Sequence, residues 1–322
     1  MSRPTDELVI ATRGSRLALK QASIVADMVS RARPDLEIRI AKVMTTGDKD
    51  RRPFAAIGGK GLFTSEVERA VVEGVADVAV HSAKDLTAEL AAGCEIVCVP
   101  ARASVQDVVV GGSGSSGEER LGTLPPGGRV GTSSMRRRAL LAEARPDLEP
   151  VELRGNLDTR LRKVEEGEMD AAILASAGIE RLLGAVPGDG VLDPTWWVPA
   201  PAQGALAVEA LEERSDLTDL FAGLDDPAAR AEVTAERAFA GRLEGGCSVP
   251  LGCLARASAS GLVLTGLLAS PDGTTVLRDR ASGSLHEAAQ LGAELADAIL
   301  GAGGDDILAD LREMDTPDPV EP

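Results

Sequence analysis

Cys247 is the residue of this chain best suited to covalent chemistry. It ends the segment Arg-Leu-Glu-Gly-Gly-Cys, and the two glycines before it place no side chains beside its sulfur. A thiolate is the strongest nucleophile among protein side chains. A free cysteine is more often a small buried residue, so the hexapeptide alone leaves both interpretations open.

The other cysteines and the histidines restrict the alternatives. The chain has three other cysteines, Cys94, Cys98 and Cys253. The four cysteines form two pairs, 94/98 and 247/253, and the two members of each pair are farther apart than the two-residue spacing common in zinc sites. We therefore expect neither a disulfide nor a bound metal, and the apolar strand pattern around Cys253 predicts that it is buried. His81 and His286 are the only histidines, and they lie too far apart in the sequence to favour a histidine metal centre. A Ser-His-Asp triad would have to use one of them.

The charge distribution predicts a small anionic ligand rather than a nucleic acid. The net charge of −17 argues against nucleic-acid binding. Residues 129–162 nevertheless hold eight arginines and five acidic residues, a local net charge of +3. Arginine binds carboxylates and phosphates in a fixed fork geometry and stays charged at any working pH. We expect Arg138, Arg145 and Arg162 to lie on solvated helix faces, in ion pairs with neighbouring acids.

Strands and helices alternate along the first two thirds of the chain, which is typical of a largely parallel sheet covered by helices. Beyond about residue 226, a helix, three strand-like runs and further helices predict an α+β domain. The predicted strands are 8–11, 38–43, 76–80, 107–110, 129–131, 150–153, 171–174, 249–255, 262–269 and 275–280, and the predicted helices include 15–33, 62–73, one ending at 144 and one beginning at 156.

Polar segments follow four of these strands, at the position where sites in open α/β sheets usually lie. Ser15 is placed to cap the first helix, and the helix N-termini after residues 134 and 156 attract anions. A cleft between two such domains would gather arginines around a polyanionic small molecule, with Asp85 as the one carboxylate among them. These arginines are Arg13, Arg136, Arg137, Arg154 and Arg160.

A glycine run at residues 112–117 matches the dinucleotide pattern Gly-x-Gly-x-x-Gly. That pattern requires a helix directly after it. Only Glu-Glu-Arg-Leu separates the run from Gly122 and the proline pair that follows, so we predict no helix of useful length there. We interpret the run as a flexible surface insertion.

Seven segments, in order over nearly the whole chain, resemble the hydroxymethylbilane synthase family, also called porphobilinogen deaminase. The resemblance implies two periplasmic-binding-protein-like α/β domains flanking a cleft, and a C-terminal α+β domain. The implied boundaries are residues 1–104 with 203–224, then 105–202 with the arginine-rich wall, and 225–322 with Cys247. The segments are residues 10–15 (Ile-Ala-Thr-Arg-Gly-Ser), 58–63 (Gly-Gly-Lys-Gly-Leu-Phe), 81–85 (His-Ser-Ala-Lys-Asp), 131–137 (Gly-Thr-Ser-Ser-Met-Arg-Arg), 153–156 (Leu-Arg-Gly-Asn), 201–205 (Pro-Ala-Gln-Gly-Ala) and 242–247.

This resemblance implies an activity and a cofactor. Members condense four porphobilinogen molecules head to tail with release of ammonia, and then hydrolyse off hydroxymethylbilane. Growth begins on a dipyrromethane cofactor, which a thioether bonds to the residue matching Cys247. Each pyrrole ring carries an acetate and a propionate, in agreement with an arginine-lined cleft. Asp85 matches the catalytic residue, whose carboxylate would stabilise the cationic azafulvene left by ammonia loss and assist the later deprotonation.

The resemblance also assigns the remaining site residues. For Lys60, in a loop over the cleft, and for Arg181, an ordinary exposed cation stays an alternative. Ala56, Thr87 and Gln106 depart from the family pattern at loop positions. The assigned cofactor-binding residues are Arg136, Arg137, Lys84, Ser133, Thr132 and Arg154, and the substrate-binding residues are Arg13, Ser15, Arg154, Arg160, Arg181, Gln203 and Lys60.

The sequence also bears on the location of the protein, its oligomeric state and two alternative functions. The N-terminal segment has no apolar stretch suited to secretion and no later segment could span a bilayer, so we expect a cytoplasmic protein. The family implies a monomer. A non-catalytic small-anion-binding protein would use the same two-domain cleft without an adduct at Cys247. A dinucleotide oxidoreductase would require the glycine run to bind its cofactor.

Overall fold

The computed structural model describes residues 7–45, 64–184, 188–244 and 249–315. Its helices and strands are numbered here in chain order. They are β1 (Glu7–Arg13), α1 (Arg16–Ala32), β2 (Glu37–Val43), α2 (Ser65–Val72), β3 (Val78–Ser82), β4 (Cys94–Cys98), β5 (Asp107–Gly111), α3 (Gly117–Thr123), β6 (Arg129–Gly131), α4 (Met135–Ala144), β7 (Glu149–Val151), α5 (Leu157–Glu165), β8 (Ala171–Ala175), α6 (Ser176–Leu183), β9 (Leu206–Leu211), α7 (Ser215–Ala222), α8 (Pro227–Arg242), β10 (Leu251–Ser258), β11 (Gly261–Ala269), β12 (Val276–Gly283), α9 (Ala288–Ile299) and α10 (Asp305–Asp315).

The chain divides into two compact units. Unit 1 comprises Met1–Gln106, Ala175–Pro187 and Ala202–Val233, and unit 2 comprises Asp107–Leu174, Gly188–Pro201 and Thr234–Pro322.

Unit 1 is built on a five-stranded sheet in the order β2-β1-β3-β9-β4. Strand β1 runs parallel to β2 and β3, whereas β9 runs antiparallel to β3 and β4. Both faces of β1 are covered, since Leu8 and Ile10 pack into one apolar cluster while Val9 and Ala11 pack into another. A strand buried on both faces carries a continuous apolar run, as residues 8–11 of this strand do.

Helix α1 has a side-chain cap at its N-terminus and a buried apolar face. Ser15 caps its N-terminus by accepting a hydrogen bond from the Ala18 amide, which confirms the predicted cap. Val25 and Val29 on its inner face are fully buried in the same cluster as Ile10. The helix ends at Ala32, two residues before Pro34, because proline disfavours helical backbone in the residue before it.

Unit 2 contains two sheets. The first has four strands in the order β5-β8-β6-β7, and β6 runs parallel to both β7 and β8. The second is the antiparallel sheet β10-β11-β12, against which α9 packs. The predicted α/β class and the predicted change to α+β character towards the C-terminus are confirmed by these sheets.

The glycine run differs from its prediction. A seven-residue helix, α3, does follow it, where no helix of useful length was predicted. Ser116 accepts a hydrogen bond from the Glu119 amide, while the Glu119 carboxylate accepts from the amides of Ser115 and Ser116. The prediction failed because this capping box stabilises a very short helix. The Glu119 carboxylate already accepts the hydrogen bonds of the Ser115 and Ser116 amides that a phosphate would need, so a dinucleotide site is not supported.

Candidate active site

In unit 1, the parallel strands β1 and β3 carry polar residues at the same edge of the sheet. Their register pairs Ile10 with Val78, so the chain segments that leave their carboxyl ends are neighbours. Arg13 and Ser15 follow β1, and Asp85 ends a short 3-10 turn after β3. A cavity of 60 Å³ lies at this edge. It is lined by Thr12, Arg13, Ser15, Leu17, Ala18, Gln21, Thr64, Val80, His81, Ser82 and Asp85.

The cavity wall is fixed by hydrogen bonds between its own residues. The Gln21 side-chain amide donates to the Ser82 hydroxyl at 2.7 Å, and this bond joins α1 to the end of β3. Asp85 lines the same cavity and is also exposed to solvent. The volume is well below the roughly 300 Å³ at which ligand pockets usually begin. The cavity therefore suits one functional group of a ligand next to the Asp85 carboxylate.

Lys84, beside Asp85, is held by a residue that the sequence analysis assigned to the substrate. Its ammonium donates to the Gln203 side-chain oxygen at 3.2 Å, and the Gln203 amide nitrogen donates to the Val105 carbonyl at 2.7 Å. Gln203 is 1% exposed. These contacts make Gln203 a support for Lys84, while its predicted contact with substrate stays a prediction.

A buried ion pair that the sequence analysis missed lies behind Gln203. Arg102 donates to the Gln203 carbonyl and forms an ion pair of 3.0 Å with Glu232. The two side chains are separated by 130 residues in the chain, so no local pattern connects them.

Arg181 contacts the same loop. Its guanidinium donates to the Gly204 carbonyl at 2.6 Å, and burial lowers its pKa to about 10. It is therefore a partly buried cation rather than an ordinary exposed one. Gly204 has a φ of 86°, and a Cβ atom there would lie 2.6 Å from the carbonyl oxygens of Ala103 and Ser104. Only glycine fits this position of the loop.

In unit 2, β6 and β7 bring two polar segments to one edge of the four-stranded sheet. Their parallel register pairs Gly131 with Val151, so the segments beginning at Thr132 and Arg154 are neighbours. The Ser133 hydroxyl donates to the Leu153 carbonyl at 2.7 Å and joins the two segments directly.

Each of these segments continues into a helix with a side-chain cap. Ser134 accepts a hydrogen bond from the Arg137 amide at the start of α4. Asn156 accepts one from the Thr159 amide at the start of α5. The sequence therefore builds two helix N-termini at this edge, as predicted from the strand-turn-helix pattern.

Arg136 and Arg137 both bind Asp107, a residue that the sequence analysis did not single out. Their Nη2 atoms lie 2.7 Å from the two carboxylate oxygens, and the Trp197 indole donates to one of them at 2.9 Å. Burial would raise the pKa of the Asp107 carboxyl, but the two guanidiniums hold it far below its ordinary value. Two cations around one anion leave this group of side chains with a charge of +1.

The other guanidinium nitrogens of Arg136 and Arg137 form only some of the hydrogen bonds that they could donate. The Nη1 atom of Arg136 donates to the Val198 carbonyl, and that of Arg137 donates to the Ile173 carbonyl, each at 2.8 Å. The Nε atoms of both arginines are buried and have no hydrogen-bond partner within the described ranges. A buried donor without a partner is costly, so the excess charge and these atoms are compatible with an anionic group.

The other arginines of this region bind acidic side chains or backbone carbonyls. Arg138, Arg145 and Arg162 form the predicted ion pairs, with Glu152, Asp147 and Glu166. Arg145 does not lie on a solvated helix face, because it follows the last residue of α4 and also donates to the carbonyls of Leu121 and Leu124. Arg154 lies in the loop between β7 and α5, and Arg160 lies in α5. The Nε atom of Arg154 donates to Glu152 at 2.9 Å, and that of Arg160 donates to the Gly155 carbonyl at 2.9 Å.

Cys247, Lys60 and Ala56 lie outside the described residues. Cys94, Cys98 and Cys253 are buried, which confirms the predicted burial of Cys253. Burial raises the pKa of the Cys94 and Cys98 thiols to about 12. Of the four cysteines, the three that the structure describes are therefore unsuited to act as a thiolate nucleophile.

Two family models match the chain. One, described as porphobilinogen deaminase, dipyromethane cofactor binding domain, matches residues 8–219, and another, described as porphobilinogen deaminase, C-terminal domain, matches residues 230–301. The porphobilinogen deaminase of Roseiflexus castenholzii is 45% identical over 94% of this chain and 99% of that protein. The chain belongs to the porphobilinogen deaminase family. The family's enzyme from Maridesulfovibrio salexigens is 41% identical over 94% of this chain and 97% of its own length.

Solved structures outside the family are only distantly similar. The substrate binding domain 2 of Lactococcus lactis GlnP has a TM-score of 0.42 and 13% identity, over 68% of this chain and 88% of that chain. The Salmonella typhimurium periplasmic binding protein STM4351 has a TM-score of 0.40 and 14% identity, over 70% of this chain and 94% of that chain. Likenesses this distant support no conclusion about function.

Membership of the porphobilinogen deaminase family confirms the predicted activity class and cofactor. The chain is a transferase with hydroxymethylbilane synthase activity, its substrate is porphobilinogen, and its cofactor is dipyrromethane. The residues of unit 2 fit such a group, because an acid-bearing dipyrrole requires cationic donors and the Arg136–Arg137–Asp107 group has an excess positive charge. Among the described residues, no helix combines the length and the apolar character needed to cross a membrane.

Proposed function

We propose that Asp85 is the catalytic carboxylate of this hydroxymethylbilane synthase. The observation that carries this assignment is the cavity in unit 1, where Asp85 lies with Arg13 and Ser15. A carboxylate beside a cationic side chain provides both charges that the reaction requires. The arginine binds a carboxylate of porphobilinogen, and Asp85 lies next to the part of the substrate that becomes positive.

Asp85 acts at two stages of each condensation. Loss of ammonia from porphobilinogen leaves a cationic methylene-pyrrole, and an adjacent carboxylate lowers the energy of that cation. A carboxylate at the same place can direct the proton that the newly substituted ring must lose. Exposure of Asp85 to solvent supports this role, since the residue is accessible to a ligand.

The remaining site residues are proposed to hold carboxylates. When bound, the dipyrromethane supplies the pyrrole carbon from which the chain grows. Arg154 is proposed to bind carboxylates of both cofactor and substrate. The proposed cofactor-binding residues are Cys247, Arg136, Arg137, Lys84, Ser133, Thr132 and Arg154, and the proposed substrate-binding residues are Arg13, Ser15, Arg154, Arg160, Arg181, Gln203 and Lys60.

We also propose where the domains of this chain begin and end, its oligomeric state and its location in the cell. The domains are residues 1–104 with 203–224, 105–202 and 225–322, and the protein is a monomer that uses no metal. A cytoplasmic location is supported by the buried free thiols of Cys94 and Cys98.

Ammonia stoichiometry tests the proposed reaction. The purified chain is incubated with porphobilinogen, and released ammonia and hydroxymethylbilane are quantified together. Four molecules of ammonia are expected for each hydroxymethylbilane. A protein that only binds small anions would shift in a porphobilinogen binding titration but release no ammonia, and that result would reject the proposed function.

A further inference from the structure

A buried histidine–glutamate pair lies in the sheet of unit 1, and the proposed function does not use it. Strands β3 and β9 are antiparallel, and their register places Glu209 opposite Ala79 and Ala207 opposite His81. His81 and Glu209 are therefore diagonal neighbours on one face. The His81 Nε2 atom lies 2.9 Å from a Glu209 carboxylate oxygen, and the side chains are 4% and 0% exposed.

This pair is costly to bury, which suggests that it has a role beyond packing. The ring nitrogen and both carboxylate oxygens lack a well-aligned hydrogen bond, although their separation is that of an ion pair. A buried carboxylate without aligned donors is strongly destabilising unless a cation or a proton balances it. The His81 ring is the group that lies within ion-pair distance of this carboxylate.

On the side of Cys94, the charged groups near the pair are negative. The Cys94 thiol on β4 lies beside Glu209, and burial followed by this carboxylate raises the pKa of Cys94 to about 12. Glu68 on α2 and Glu212 at the end of β9 also act on this thiol. On the cavity side the nearby charged groups are Arg13 and Asp85.

His81 also lines the cavity that contains Asp85. Its Nε2 atom faces Glu209, so Nδ1 is the ring nitrogen left to meet a ligand. A carboxylate that binds one imidazole N–H fixes the tautomer and leaves the lone pair of the other nitrogen available as a base. The same arrangement orients the general-base histidine of serine hydrolases.

We propose that His81, oriented by Glu209, is a second proton acceptor for the condensation, acting beside Asp85. The inference rests on the proposed function. When the reacting pyrrole carbon has formed its new C–C bond, its C–H bond breaks and the electron pair returns to the ring. The proton moves to His81 Nδ1, and Glu209 balances the imidazolium. The proton then passes to the released ammonia, which leaves as ammonium, while Asp85 remains ionised for the next cation.

Histidine NMR tests the geometry without reference to activity. The chain has two histidines, so a ¹⁵N-histidine-labelled sample gives two imidazole spin systems, and His286→Gln assigns them. Neutral His81 is expected to carry its proton on Nε2 and none on Nδ1, and Glu209→Gln is expected to weaken that preference. A proton on Nδ1 of neutral His81, or no response to Glu209→Gln, would overturn the proposal.

Kinetics test the proton transfer. His81→Gln is expected to lower kcat roughly 10²-fold with little change in KM, because the proton acceptor is lost while the substrate-binding groups remain. The exposed His286→Gln is the matched control and should keep wild-type kcat. A wild-type kcat in His81→Gln would contradict the role.

A double variant separates catalysis from stability. His81→Gln leaves the buried Glu209 carboxylate without the imidazole beside it, so His81→Gln/Glu209→Gln, with two neutral amides, is measured beside it. A folded, cofactor-bearing double variant with the same loss of kcat supports the proposal, and one with wild-type kcat refutes it. Failure of the wild type to release ammonia would instead reject the proposed function, whatever the tautomer of His81.

Discussion

Replacing Asp85 with asparagine is expected to lower kcat by roughly 10³-fold. The loss is this large because the same carboxylate stabilises the cation and directs the proton that the ring loses. Asparagine keeps the size of the side chain and removes its charge, so the cation formed from porphobilinogen loses its counter-ion. Because Asp85 is exposed, the free energy of unfolding should change by no more than about 0.5 kcal/mol.

The Asp85 prediction is measured as steady-state ammonia release over a range of porphobilinogen concentrations. Glu89→Gln is the matched control, because Glu89 is an exposed acid four residues away that does not line the cavity. It should keep wild-type kcat. If Asp85→Asn retained more than about a tenth of the wild-type kcat, general-base and electrostatic roles of the usual size would be excluded for this residue.

Replacing Asp107 with asparagine is expected to destabilise the fold by about 3–5 kcal/mol, the usual effect of removing one partner from a buried ion pair. The variant would leave Arg136 and Arg137, both buried, facing each other without their counter-ion. Asparagine preserves the shape and an acceptor for the Trp197 indole. Loss of charge is therefore the change that the experiment isolates.

Urea unfolding followed by tryptophan fluorescence measures this effect. The chain has two tryptophans, and Trp197 itself donates to Asp107, so the signal reports on this group of side chains. Asp147→Asn removes the partner of Arg145 from a more exposed ion pair and should destabilise the fold far less than Asp107→Asn. Equal destabilisation by the two substitutions would contradict the assignment of Asp107 as the buried counter-ion.

The pH dependence of the Asp107 effect has a defined sign. The guanidiniums hold the pKa of Asp107 in the folded chain far below the value of about 3.9 expected in the unfolded chain. Its stabilisation is therefore complete above the unfolded pKa and is lost as the pH falls. The difference in stability between wild type and Asp107→Asn should be constant from roughly pH 5 to 8 and shrink below about pH 4.

The elements of the fold were predictable where burial and periodicity coincide. Strand β1 and helix α1 follow directly from an apolar run and a capped helical pattern that ends before Pro34. Strand β9 was not predicted. Its segment, Leu-Ala-Val-Glu-Ala-Leu, is rich in helix-forming residues, and it becomes a strand because β3 and β4 pair with it on both sides.

The site was predictable to the extent that its residues share local patterns. Ser15, Asp85 and the arginines after β6 and β7 follow strands, and their positions could be inferred from that arrangement. The partners that hold them could not. Asp107 binds arginines about 30 residues away, and Glu209 meets His81 across a strand pair that the sequence did not reveal. Such contacts depend on topology rather than on spacing.

Intact mass spectrometry of the purified chain tests the central claim most directly. The wild type is expected to carry a covalent increment of two pyrrole units, and Cys247→Ala is expected to lack it. Cys253→Ala, which alters a buried thiol six residues away, is the matched control and should retain the increment. A folded wild type of unmodified mass, or an increment that survives in Cys247→Ala, would contradict the account.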